Sequence, residues 1–93
     1  MDTKRKLVYK HIGARIAYFR ALNELSQEEL AYRIHISRGT LSKIEHGSYD
    51  SSVSLGTLLD IADVLDMEFS MFVSSDPEER QYWEKIIENK SNL

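Results

Sequence analysis

Gln27-Glu28-Glu29-Leu30-Ala31-Tyr32-Arg33-Ile34-His35-Ile36-Ser37-Arg38-Gly39-Thr40-Leu41-Ser42-Lys43-Ile44-Glu45-His46-Gly47 reads as two short helices joined by a tight turn. Ser26 precedes the first helix, and Glu29 stands three residues after it. That spacing is a capping box, in which the serine hydroxyl and the glutamate carboxylate each take a free backbone N–H. The helix then runs to about Ile34, and His35 and Ile36 make the turn. Ser37 can cap the second helix, which ends near His46, and Gly47 stands where a left-handed helix terminus favours glycine. Leu30, Ile34, Ile36, Leu41 and Ile44 are the apolar positions that lock the pair at a steep angle, and Ala31 is small where the helices approach.

Those core positions leave Arg38, Gly39, Thr40, Ser42 and Lys43 on the outer face of the second helix. This face is short, polar and cationic, which suits a major groove of DNA. Gly39 is unfavourable inside a helix by about 1 kcal/mol against alanine, and its missing side chain permits close approach to a partner. Gln27 lies at a helix start, where free N–H groups and its own amide suit a phosphate. Ser37 is first a cap, with a phosphate contact as its second expected role.

Outward from this centre the pattern stays helical. Residues 7–22 carry Leu7, Ile12, Ile16, Phe19 and Leu22 as one apolar stripe, and Asn23 and Glu24 form a connector. Residues 48–53 are polar loop. Ser54 caps a fourth helix with Leu55, Leu58, Leu59, Ile61, Ala62 and Leu65 expected inward. Glu68 to Val73 predicts a short helical turn. Asp76-Pro77-Glu78-Glu79 opens a last helix with an acidic cap, proline at its first position and a further capping-box glutamate. No strand pattern or internal repeat is present. The expectation is an all-α chain of five main helices. Residues 1–6 form a basic N-terminal arm, 7–74 the helix-turn-helix domain, and 75–93 a C-terminal helix beyond the core that serves dimerisation.

At 93 residues the chain has room for one domain, which buries roughly 60–65% of its unfolded surface. Hydrophobic residues make up 42% and charged residues 29%, so a folded globular chain is expected rather than disorder. The net charge of −3 conceals an asymmetry. Residues 1–50 hold nine Lys or Arg against six Asp or Glu, whereas residues 51–93 hold three against nine. The front is basic and the back acidic, and the distribution matters more than the sum for nucleic-acid binding. No cysteine is present, which removes disulfides and thiolate metal sites and fits a reducing, cytoplasmic setting. Apolar runs are far too short to span a membrane. His11, His35 and His46 lack metal-ligand spacing, and no cofactor is expected. There is no phosphate-binding glycine loop, nucleophile elbow or paired acid–base set, so no enzyme activity is expected.

These residues resemble the Cro and lambda-repressor-like helix-turn-helix family, also called XRE-type regulators. The resemblance covers about Ile12 to Val73. It rests on Ile12-Gly13, Ile16 and Arg20, then Ser26 to Ala31, then Ser37, Ile44, Glu45 and Gly47, and later Leu58-Leu59, Ile61-Ala62 and Leu65. It implies a compact lambda-repressor-like bundle whose third helix enters the major groove of an operator. It also implies that Arg20 pairs with Glu45 to hold the recognition helix on the first helix. Three features depart from the family pattern. His35 takes the turn position usually held by glycine, the loop after the recognition helix is about two residues longer and lacks the common proline, and Gly56 sits in the first turn of the fourth helix.

The functional expectation is a sequence-specific transcriptional regulator, such as a repressor, that binds double-stranded DNA as a homodimer on a palindromic operator. The alternative is a protein-interaction module of the same fold, such as an antitoxin whose acidic C-terminal half binds a toxin. Met71, Phe72, Tyr82, Trp83, Ile86 and Ile87 are the candidate dimer seam, and packing of the last helix on its own domain is the competing reading. Tyr49 is read either as a phosphate donor or as packing on the fourth helix. Lys4, Arg5 and Lys6 are read either as an arm along the DNA backbone or as a basic tail.

Overall fold

The computed structural model describes residues 3–48 and 53–91. Six helices follow in order: α1 (Thr3–Leu22), α2 (Gln27–Arg33), α3 (Arg38–Glu45), α4 (Leu55–Val64), α5 (Ser70–Val73) and α6 (Pro77–Ser91). Five are the main helices expected from sequence, and α5 is the short turn. Among the described residues there is no strand.

The helix starts are set by the side chains the sequence offers. Ser26 accepts from the Glu29 N–H while Glu29 reaches back to the Ser26 N–H. Ser37 caps through the Thr40 N–H and Ser54 through the Thr57 N–H. Asp76 and Glu79 form a second reciprocal box. Each such cap contributes roughly 1 kcal/mol.

Helices α1, α2, α3 and α4 end in one shared way. Glu24, His35, Gly47 and Asp66 adopt positive φ, at 57°, 60°, 75° and 53°. After each, the next N–H turns back to the helix: Leu25 to the Arg20 carbonyl, Ile36 to Ala31, Ser48 to Lys43 and Met67 to Ala62. These are Schellman terminations, of which only one uses glycine. His35 thus takes the left-handed conformation that its place in the turn demands.

The core is a single cluster drawn from all but the last helix: Ile12 and Ile16 of α1, Leu30 and Ala31 of α2, Leu41 and Ile44 of α3, Ile61 and Ala62 of α4, and Phe72 of α5, with Ile34 and Leu65 at helix ends. Gly13 allows α1 to press directly on α3, since a Cβ there would run into the carbonyl oxygens of Ile44 and Glu45. The inward expectation fails for Leu22, Leu55 and Leu59, which are exposed. Leu22 lies in the last turn of α1, and Leu55 in the first turn of α4, so both sit at the rim of a small core.

The front of the chain also differs from expectation. Residues 3–6 are not an arm but the first turns of α1. Lys4, Arg5 and Lys6 are good helix formers with no proline or glycine before Gly13, and α6 packs along this extension. His11 Nε2 lies 2.7 Å from the Ser74 carbonyl, and its ring meets the Trp83 ring edge-on at 5.1 Å. Glu79 approaches His11 Nδ1 at 3.8 Å. Trp83, Ile86 and Ile87 are therefore half-buried on their own domain, and Phe72 is fully buried in its own core. Phe72 cannot face a second copy. Tyr82 and Met71 remain exposed.

Candidate nucleic-acid interface

The α2–turn–α3 unit is fixed from behind by a polar network. Arg20 donates from Nε to Glu45 Oε2 at 2.7 Å and from Nη2 to Oε1 at 3.0 Å, and its Nη1 donates to the Leu25 carbonyl at 2.8 Å. The Glu45 side chain is only 4% exposed. Hydrogen bonding to Glu45 raises the Arg20 pKa above its ordinary value, with burial opposing the shift. This forked, charge-assisted pair ties the last turn of α3 to α1 and to the approach of α2.

Gln27 joins the same network. Its Nε2 donates to Glu45 Oε1 at 2.9 Å, so the start of α2 and the end of α3 share one carboxylate. Sequence reasoning placed Gln27 at a helix start but missed this bond. The signal lies in tertiary structure, because the residues are far apart in the chain.

In front of the network, α3 presents its outer face. Arg38, Gly39 and Lys43 are exposed, while Thr40 and Ser42 are half-buried. The Ser37 hydroxyl accepts from the Thr40 N–H and lies 2.8 Å from the Thr40 hydroxyl, so both hydroxyls are engaged in the cap. A Cβ on Gly39 would meet open space, with only Ser37 Oγ at 3.9 Å. Among the described residues, neither Arg38 nor Lys43 is paired with a carboxylate. Among the described residues the face is therefore two cations without a carboxylate partner, around a bare stretch of backbone. His46 Nδ1 lies 2.8 Å from the Ser42 carbonyl and closes the far end of the helix. Tyr49 lies outside the described residues.

A helix-turn-helix family model matches residues 16–72. The chain belongs to the XRE-type helix-turn-helix family. Its matched region begins at Ile16 and ends at Phe72, so it contains the Arg20–Glu45 pair, α2, α3 and the buried face of α4. An uncharacterized HTH-type transcriptional regulator of Methanocaldococcus jannaschii, MJ0272, is 46% identical over 41 residues, which is 44% of this chain. That alignment spans 62% of the relative's length. Among solved structures, the restriction-modification controller protein C.AhdI of Aeromonas hydrophila is similar at 31% identity and a TM-score of 0.63, covering 69% of this chain and 94% of that one. The clp gene regulator ClgR of C. glutamicum is similar at 28% identity and a TM-score of 0.63, covering 70% and 82%.

One other surface lies away from α3. An open groove of mixed character runs between α1, α4 and α5, lined by Phe19, Leu59, Met67, Phe69 and Met71 together with Asp63, Asp66 and Glu68. Arg15 lies beside it, donating to the Met71 carbonyl and standing over the Phe19 ring. Leu59 is expected inward on the fourth helix, and Met67 follows the end of that helix, so neither is assigned to an interaction surface from sequence. Among the described residues no three His, Asp or Glu side chains gather as a metal site, and no helix is long and apolar enough to cross a membrane.

Proposed function

We propose that this protein is a sequence-specific DNA-binding transcriptional regulator that lays α3 in the major groove of an operator. The supporting observation is the α3 face itself: Arg38 and Lys43 exposed around the bare Gly39 and without a carboxylate partner among the described residues, on a helix held by Arg20, Gln27 and Glu45. Arg38 suits a guanine edge by a bidentate contact and Lys43 suits phosphate. Ser37, Thr40 and Ser42 shape the edge of the contact, and Gln27 keeps a second amide N–H for a neighbouring phosphate. The similar proteins, two regulators and a controller protein, support this role. Occupying a promoter in the cytoplasm is the simplest mode of repression.

One such helix reads few base pairs, so the active form is a homodimer on a palindrome, with the two α3 helices roughly 34–36 Å apart. Met71 stays in the seam, now joined by Leu59 and Met67 of the same groove, while α6 keeps Trp83, Ile86 and Ile87 against α1. The carboxylates in the groove lining support the alternative reading, in which a partner protein takes this face. Under that reading the isolated chain sediments as a monomer at tens of micromolar, with and without DNA. Selection of bound duplexes from a random pool, at stated salt, tests the assignment: a palindromic consensus is expected, and recovery of unenriched sequence contradicts it.

A further inference from the structure

The extension of α1 carries charge that the recognition helix does not account for. Lys6, Lys10 and Gly13 recur along one face of α1 at steps of four and three residues. Gly13 is the point where that face meets the end of α3, against the Ile44 and Glu45 carbonyls. Lys10 sits at the next step out, against the residue that terminates α3: a Cβ on Gly47 would lie 2.7 Å from Lys10 Cα. Lys6 lies about 10 Å from Gly13 along the axis, at 1.5 Å per residue. From the far end of the chain, α6 brings Lys90 to the same place. Thr3, Lys6, Leu7, Lys10, Ile86 and Lys90 line one groove.

Three lysines thus line one groove from two helices, in a chain whose net charge is −3 and whose back half is acidic. No carboxylate lines the groove or pairs with any of the three among the described residues. Like charges four residues apart on a helix are destabilising, and the third lysine adds to the repulsion. Such an arrangement suits a polyanion, and the adjoining surface is the exposed cationic end of α3 with Lys43.

We propose that Lys6, Lys10 and Lys90 form a second DNA contact, a phosphate-binding ridge that grips the backbone beside the stretch read by α3. The ridge rests on the DNA-binding reading above and extends it. It supplies affinity without sequence preference, because ammonium groups on phosphates neutralise charge and release counterions. It also gives α6 a role: docking of that helix on α1 through Trp83 and His11 is what brings Lys90 to the groove.

The test uses the whole chain with the selected operator duplex. Wild type, the triple variant Lys6→Gln/Lys10→Gln/Lys90→Gln, the triple Lys→Arg variant and Arg38→Ala are titrated over a salt series. Each lysine on a phosphate contributes about 0.9 to the slope of log affinity against log salt. The Gln variant should lose up to about 2.7 of that slope. Between about 50 and about 200 mM salt its affinity should then fall roughly 40-fold less than that of wild type. The Arg variant should keep the wild-type slope, and the consensus recovered by the Gln variant should be unchanged. A Gln variant with helical content and salt slope both like wild type overturns the ridge, and so does a changed consensus. If Arg38→Ala loses operator binding while the Gln variant keeps its slope, the ridge alone falls. If wild type selects no sequence, the DNA-binding reading falls and the ridge falls with it.

Discussion

Both carboxylate oxygens of Glu45 are held by the guanidinium of Arg20, and one of them also accepts from the amide of Gln27. Three helices therefore meet on one nearly buried carboxylate: α1 through Arg20, α2 through Gln27 and α3 through Glu45 itself. Removing Arg20 strands that carboxylate, and removing Glu45 strands the guanidinium. Each loss is expected to cost about 3 kcal/mol. For a domain of this size that is a fall of well over 10 °C in melting temperature. Arg20→Ala with Glu45→Ala should lose less than the two single losses together. Strict additivity in that thermal or denaturant cycle would separate the residues energetically.

Gln27→Leu separates orientation from charge. Loss of the amide removes one of three hydrogen bonds to Glu45, a change of about 1 kcal/mol in stability, yet it also frees the start of α2. DNA affinity should fall further than stability does, measured by denaturant titration beside operator binding. A Gln27→Leu protein with wild-type affinity would confine this residue to the fold.

His35→Gly and Asp66→Gly should each stabilise the domain by about 1 kcal/mol. Both residues hold positive φ, where a side chain is unfavourable and glycine is not. Gly47→Ala runs the other way, because it adds the same conformational strain and drives a Cβ into the Lys10 backbone. Differential scanning calorimetry of the three variants reads the sign directly. A drop in melting temperature for His35→Gly would mean that the imidazole holds the turn by contacts of its own.

The two-helix unit was legible in the sequence because its signals are local. The Ser26–Glu29 and Asp76–Glu79 boxes, the serine caps and Gly47 each act within one turn, so spacing alone reveals them. Family resemblance carried the Arg20–Glu45 pair, which no local rule supplies. What stayed hidden depends on packing between distant segments. Phe72 reads as apolar wherever it lies, and only the way α5 lies across α1 makes it core. The half-buried face of Trp83 fits a partner copy or a neighbouring helix equally well, and the answer lies in where α6 turns after Ser74. Lys4, Arg5 and Lys6 carry the charge of an arm and the propensity of a helix, and docking of α6 sides with the helix.

Gly39→Ala should split stability from binding. The position is open, and alanine favours a helix interior over glycine by about 1 kcal/mol, so the melting temperature should rise. If the bare backbone lies against DNA, the added methyl group should weaken operator binding tenfold or more. A variant both more stable and equally tight would remove Gly39 from the contact.

Arg38→Ala on the selected operator, measured against operators altered one base pair at a time, bears most directly on the reading surface. The variant should fold like wild type and lose about 1–3 kcal/mol of discrimination at one position in each half-site, while discrimination elsewhere stays intact. Lys43→Ala in the same assay should weaken every sequence alike. Wild-type affinity and wild-type discrimination in Arg38→Ala would contradict the assignment of α3 as the helix that reads DNA.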